Sequence, residues 1–433
     1  MRINKNFITN GMYISLMIPF ILSTVTQPLL GAIDLAVIGR LNSEILISGV
    51  AIGTLIFNTI YWMFGFLRVS TTSYSAQNTH KTKNENALVF LRPFIIALFI
   101  SLMCVLFKSN IFNLAMKFIN PTLEVENISK IYFSILIFGA PFVLFNYVIL
   151  GWLMGKGNVF GSLTMQISGN ILNIILDVIF VIFLKKGVEG VAYATLVSQM
   201  ISFLIGLYFI IPYGYFKSIN ISAIINKKEI VNILVINRNL MVRTFFLLLH
   251  NNLIISASSN LGVDILATNS ILLQIVSIIS YSFDGIANTS SVFSGRALGL
   301  KDNYMMKLVW KRNLQWGIIF VILTSFFYIS LSEKIFLIFS NLETILSLSR
   351  QFWFWIALYP LISFLGLTFY GVFTGANKTF PVALSTGGAF FMFFLSYSFM
   401  IPKLGNNGIW ISFLIFYFFR GAFLLPQLKK TLI

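Results

Sequence analysis

The amino-acid sequence predicts an all-α polytopic membrane protein, with twelve transmembrane helices in two six-helix bundles related by pseudo-two-fold symmetry. Three observations carry that prediction: a composition poor in charge, twelve long apolar runs, and a first-half pattern that returns in the second half. Of 433 residues, 58% are hydrophobic and 10% charged, with a mean hydropathy of +0.88. A water-soluble domain keeps about a quarter of its residues charged to cover its surface, so most of this surface faces a lipid bilayer. The 46 phenylalanines fit that solvent. A net charge of +17 would suggest nucleic acid in a soluble chain. Here the basic residues sit in short segments between apolar runs, and no nucleic-acid partner is expected. Cys104 is the single cysteine and lies within an apolar run, which excludes disulfides and thiolate metal sites.

A bilayer core about 30 Å thick needs about 20 mostly apolar residues per helix. In chain order such runs fall near 12–39, 46–76, 88–108, 131–154, 160–184 and 188–212, and then near 241–262, 266–292, 314–337, 350–374, 380–401 and 407–427. The first is followed by many others, so it reads as a span and not as a cleaved signal peptide. No stretch shows the short alternating strands of a membrane barrel. The basic stretch 213–240 separates an N-terminal six-helix lobe, 1–212, from a C-terminal one, 241–433.

With an even number of spans both termini share one face. Lysines and arginines on that face, among them Lys81, Lys156, Lys227, Arg243, Arg296 and Arg420, outnumber those on the other by about two to one. That excess places both termini in the cytoplasm and the chain in the inner (plasma) membrane. Arg68 is left inside a span and reads as a boundary residue whose head reaches the interface.

The halves repeat. Gly151-Trp-Leu-Met-Gly155 ends the fourth span and Gly371-Val-Phe-Thr-Gly375 ends the tenth. A shift of about 219 residues also lays Trp62-Met-Phe-Gly-Phe66 over Tyr281-Ser-Phe-Asp-Gly285, each followed by Ser/Thr-rich helix. Six spans per half give both copies the same orientation, the parallel-repeat plan of several transporters.

Ten of the thirteen acidic residues lie in loops or at span ends, and Asp34, Asp177 and Asp284 lie inside apolar runs. A charge at membrane depth costs at least about 2.5 kcal/mol, and such residues usually face the bundle interior and act there. Each has polar company at helical spacing. Ser23, Gln27 and Asp34 share a face of the first span, which Pro19 and Pro28 allow to bend. Gln166, Asn170, Asn173 and Asp177 form a stripe on the fifth, and Thr195, Ser198 and Ser202 one on the sixth. The eighth carries Ser277, Tyr281, Asp284, Asn288 and Ser291. The N-terminal set suits a hard cation, which takes several oxygen ligands, or a proton, because burial disfavours a charged carboxylate. Either occupant neutralises the acids and biases one conformation over another. The competing reading is interhelical hydrogen bonding, worth about 1 kcal/mol per bond. His80 reads as a loop residue, and His250 as a satisfied bundle histidine in preference to a proton relay.

The chain resembles the multidrug and toxic compound extrusion (MATE) family, in its DinF-like branch, over nearly its whole length. The resemblance rests on the order of short motifs: Pro28-Leu-Leu-Gly-Ala-Ile-Asp34, Ser48-Gly-Val-Ala51, Trp62-Met-Phe-Gly-Phe-Leu-Arg68, Gly151-Trp-Leu-Met-Gly-Lys-Gly157, Gly169-Asn-Ile-Leu-Asn173-Ile-Ile-Leu-Asp177 and Ile279-Ser-Tyr-Ser-Phe-Asp284. It implies an antiporter exporting small organic, mostly cationic or amphiphilic compounds against inward H⁺ or Na⁺, with no cofactor. By position it implies Asp34, Asn173, Asp177 and Thr195 as the cation-coupling set, which could hold Na⁺, and Pro19 as the point where the first helix bends. Gln27, Asn146, Asn170 and Asp284 are secondary candidates. Leu30 stands where the family often has tyrosine, and the second-lobe acids of another branch are missing, so no C-lobe sodium site is expected.

The main rival is a flippase for a lipid-linked precursor, which would line its cavity with several basic residues to hold pyrophosphate. Only Arg68 is read as basic within a span, against three acids, so the balance favours cationic cargo. No His/Glu cluster or Ser–His pair appears at membrane depth, so the chain is not expected to be an enzyme. No filter-like loop points to a channel. The protein is expected to act as a monomer.

Overall fold

The computed structural model describes residues 8–38, 44–213, 221–224, 226–339 and 342–432. They form sixteen α-helices: α1 (Asn10–Ile38), α2 (Glu44–Phe64), α3 (Phe66–Gln77), α4 (Lys83–Leu106), α5 (Lys108–Ile119), α6 (Leu123–Leu136), α7 (Ala140–Lys156), α8 (Val159–Asp177), α9 (Gly187–Ile210), α10 (Ile221–Ile224), α11 (Lys227–Asn260), α12 (Val263–Leu300), α13 (Asn303–Phe339), α14 (Glu343–Gly375), α15 (Thr379–Leu404) and α16 (Asn406–Leu424). Among the described residues, 11 helical segments are long and apolar enough to cross a membrane. The 29-residue α1 falls on the first predicted run.

Several spans carry local devices that periodicity does not reveal. The second predicted run is broken at Gly65 into α2 and α3. The fourth is α6 and α7 joined by a 3₁₀ turn at Ile137–Gly139, with Pro141 in the first turn of α7, where its missing N–H is harmless. The fifth changes register after Asp177: Val178–Phe183 is π-helical, with Leu184 donating to the Ile179 carbonyl at 2.9 Å. At the N-terminus of α4, Thr82 and Glu85 form a reciprocal capping box. The short helix α5 buries Phe112 and Met116 in a cluster with Phe57, Tyr132 and Phe133.

Two compact units result: Thr26–Leu234 forms one, and Met1–Val25 with Val235–Ile433 the other. The expected lobes, bounded at 212 and 241, put the whole first span in the N-terminal half. The contacts instead group its first part with the C-terminal helices. Thr24 donates to the Tyr281 carbonyl at 2.7 Å, and the Tyr13 and Ser290 hydroxyls are 2.7 Å apart. A Cβ on Gly285 would lie 2.6 Å from the Ile21 backbone, so glycine there lets α1 rest directly on α12.

The glycine repeat does the same work in each unit. A Cβ on Gly151 would overlap the Arg68 carbonyl and one on Gly155 the Thr72 carbonyl, so α7 lies backbone to backbone on α3. In the second unit, Gly371 meets the Ala287 carbonyl and Gly375 the Ser291 carbonyl, which brings α14 onto α12. The facing strips are small and buried: Ser70, Thr71, Thr72, Ser73 and Ser75 on α3, and Thr289, Ser290, Ser291 and Ser294 on α12. Small residues at four-residue spacing are how helices approach closely in lipid, where dispersion replaces the hydrophobic drive.

Candidate functional site

In the unit spanning Thr26–Leu234, the predicted stripe of α8 turns inward. Asn173 is 3% and Asp177 1% exposed, Gln166 is also buried, and Asn170 is half-buried. The Asn173 amide reaches the Thr195 hydroxyl of α9 at 3.4 Å, and Thr195 itself donates to the Val191 carbonyl at 3.1 Å. Two of the four predicted coupling residues, Asn173 and Thr195, thus meet across the α8–α9 seam, and Asp177 is buried one turn along α8 from Asn173. The seam is close because Gly169 of α8 leaves room for the Ser202 hydroxyl, 2.7 Å from where a Cβ would stand. Ser202 then donates to the Met165 carbonyl at 2.9 Å.

Asp177 sits at the junction of α-helix and π-helix. A π-turn leaves a backbone carbonyl without its usual α-helical partner and is often found at functional sites. The carboxylate, the Asn173 amide and the Thr195 hydroxyl are all oxygen-bearing groups suited to a hard cation or a proton. Among the described residues no group of three His, Cys, Asp or Glu side chains could hold a transition metal.

The other candidates distribute as follows. Asn146 of α7 is buried, and its amide donates to the backbone carbonyl of Gln199 at 3.1 Å and to its side-chain oxygen at 2.9 Å. Gln199 was not singled out in the sequence, although it stands four residues after Thr195 and continues the polar side of α9. Gln27 is exposed on α1, and Pro19 is half-buried on the part of α1 that packs with the C-terminal unit. The α1 helix runs unbroken through Pro19 and Pro28. Asp34 lies in the last third of that helix, and its side chain falls outside the described residues.

Asp284 belongs to the other unit, half-buried on α12, where the Tyr370 hydroxyl donates to its Oδ1 at 3.0 Å. The sequence reading put Arg420 on the loop face. The structure places it inside α16, 3% exposed, because Gly366 and Gly421 let α14 and α16 close over its stem. His250 is packed among aromatic rings, stacked 4.0 Å from the Phe416 ring and flanked by Phe393 and Phe413. The Arg68 side chain is half-buried.

Two units with repeated glycine seams, and a buried acid–amide stripe in one of them, make up a helical membrane protein built from two related halves. The MatE family profile matches the chain twice, over residues 19–179 and 240–400, and the offset between the matches agrees with the repeat read from the sequence. The chain belongs to the MatE family. It is 30% identical over 410 residues to DNA damage-inducible protein F of Escherichia coli (strain K12), covering 94% of this chain and 89% of that one. It is 23% identical over 428 residues to Multidrug resistance protein MdtK of Photorhabdus laumondii subsp. laumondii, covering 93% and 91%. A crystal structure of MATE in complex with MaL6 superposes with a TM-score of 0.84 at 20% identity, covering 96% of both chains. The chain is therefore a multi-pass membrane protein of a transporter family and not an enzyme.

Proposed function

We propose that this protein is an antiporter that exports small organic, mostly cationic or amphiphilic compounds across the inner membrane, with both termini cytoplasmic, driven by inward H⁺ or Na⁺. The observation that supports the proposal is Asp177, buried one helical turn along α8 from Asn173, whose amide meets Thr195 of α9. A carboxylate at membrane depth is costly when charged. Taking up H⁺ or Na⁺ removes that cost, so ion occupancy favours the conformation in which the site is most enclosed. Asp34, with Gln27, Asn146 and Asn170 as supporting polar groups, completes the coupling set in this proposal. Pro19 gives α1 a point at which a change near Asp34 alters the course of the helix. Gradient-driven efflux of ethidium from everted vesicles, under separately imposed pH and Na⁺ gradients, tests the reading. Asp177→Asn and Asp34→Asn should insert normally and lose the gradient-driven component, and retained efflux in either removes that residue from the mechanism.

Export of a lipid-linked precursor by flipping is the second reading, favoured by one feature: the arginines of the C-terminal unit. Buried basic residues are what a phosphate-bearing headgroup requires.

A further inference from the structure

Among the described residues of the C-terminal unit, a pair of arginines carries more positive charge than the carboxylate beside it neutralises. Arg420 is 3% exposed, with its guanidinium carbon 5.4 Å from the Tyr417 ring centroid and 5.7 Å from that of Phe416. Arg243 of α11 lies 4.4 Å above the Tyr370 ring, and its buried Nε has no hydrogen-bond partner. Arg420 lies within Coulombic reach of Arg243 and of Asp284, and Tyr370 joins the other two, its ring lying under the Arg243 guanidinium and its hydroxyl donating to Asp284. Among the described residues no carboxylate forms an ion pair with either arginine. Asp284 is instead engaged by the Tyr370 hydroxyl. Among the described residues these two guanidinium groups stand against one carboxylate, which leaves one positive charge in excess.

The geometry says what would compensate it. A ring that stacks on the face of a guanidinium fixes its plane and leaves the N–H groups along its edge for acceptors. Those N–H groups match a carboxylate, sulfonate or phosphate in a bidentate arrangement. The aromatic residues around them, Tyr370, Phe416 and Tyr417, supply apolar surface for the body of the same molecule. Arg243 and Asp284 are only half-buried, so the cluster reaches the surface of the unit and can be entered.

We infer that Arg243 and Arg420, with Tyr370 and Tyr417, form a binding site for the anionic group of an amphiphile, and that Asp284 opposes such a ligand instead of holding a coupling cation. The inference deepens the export reading by adding anionic and zwitterionic amphiphiles to its cargo. It stands on the C-terminal unit alone and does not require the α8–α9 seam.

The test is equilibrium binding to the full chain in nanodiscs with no ion gradient, so that a failure of coupling leaves the result untouched. Fluorescein in its anionic form and a cationic rhodamine share one xanthene body and differ in charge, and their fluorescence anisotropy reports binding. Arg243→Gln should weaken fluorescein binding about tenfold or more, the loss of one charge-assisted bidentate contact. Asp284→Asn should tighten it several-fold by removing the opposing charge. Rhodamine binding should not follow either change. Opposite shifts from the two variants cannot come from a purely structural role, which would weaken binding in both. Arg420→Gln should act as Arg243→Gln does; if it fails to fold, the two half-buried positions carry the test. Phosphatidylglycerol in the disc distinguishes the sources of the anion. Competition with fluorescein assigns the site to a lipid headgroup, and its absence assigns it to a free organic anion. No saturable fluorescein binding, or shifts of the same sign in Arg243→Gln and Asp284→Asn, overturns the inference.

Discussion

Replacing Gly371 by alanine would push a methyl group into the backbone of α12. An ideal Cβ at Gly371 overlaps the Ala287 carbonyl oxygen and stands 2.6 Å from its carbonyl carbon and 2.7 Å from its Cα. Carbon atoms in ordinary contact sit about 3.5–4.0 Å apart, so α12 and α14 must separate by about 1 Å. They cannot pivot to avoid it, because Gly375 meets the Ser291 carbonyl one turn along. Overpacking usually costs about 1–3 kcal/mol. Backbone against backbone cannot relax by changing rotamer, so the upper end, about 3 kcal/mol, is expected. On the scaling of large domains that corresponds to a fall in Tm of about 6–12 °C. Thermal-shift size-exclusion of the detergent-purified protein measures it. Gly11→Ala is the control, since its nearest neighbour would be the Thr9 hydroxyl at 3.9 Å and alanine is the better helix former by about 1 kcal/mol. Gly151→Ala should behave like Gly371→Ala, because a Cβ there overlaps the Arg68 carbonyl. A Gly371→Ala protein as stable as Gly11→Ala would refute the claim that the repeated glycines set the helix spacing.

Two further outcomes follow from the polar contacts. Asn269 exchanges amide hydrogen bonds with Asn406 at 2.6 and 3.2 Å, accepts from Trp410 at 3.0 Å and donates to Ser258 at 2.8 Å. Asn269→Ala leaves buried partners unmatched and should cost about 2–3 kcal/mol, read as reduced folded yield and a lower Tm; an unchanged Tm contradicts it. Asn146→Ala and Gln199→Ala both remove the side-chain bond between α7 and α9, while the bond to the Gln199 backbone carbonyl is lost only in Asn146→Ala, so a double-mutant cycle on thermal stability should isolate a side-chain coupling of about 0.5–1.5 kcal/mol. Strict additivity would show that the pair does not interact in the membrane.

The spans, the repeat and the α8 stripe were legible because each is written in local spacing. Gln166, Asn170, Asn173 and Asp177 sit on one helical face wherever that helix packs, and the Gly151 and Gly371 motifs need only a neighbouring backbone. What the sequence hid depends on partners far along the chain. Arg420 sits near the end of an apolar run, the place of an interface arginine, and only the closure of α14 against Gly421 buries it. The π-turn after Asp177 lies in Val178-Ile-Phe-Val-Ile-Phe183, which reads as ordinary span. The grouping of the start of α1 with the C-terminal unit comes from Tyr13, Thr24 and the space left by Gly285, contacts some 260 residues distant in sequence.

Counter-transport in proteoliposomes tests the central claim most directly. Adding an exported amphiphile to vesicles holding an internal pH indicator, or radioactive sodium, should release H⁺ or Na⁺ in step with cargo uptake. Asp177→Asn protein reconstituted to the same density should release neither ion. Cargo movement with no ion release in the unaltered protein, or undiminished release in Asp177→Asn, would contradict the account.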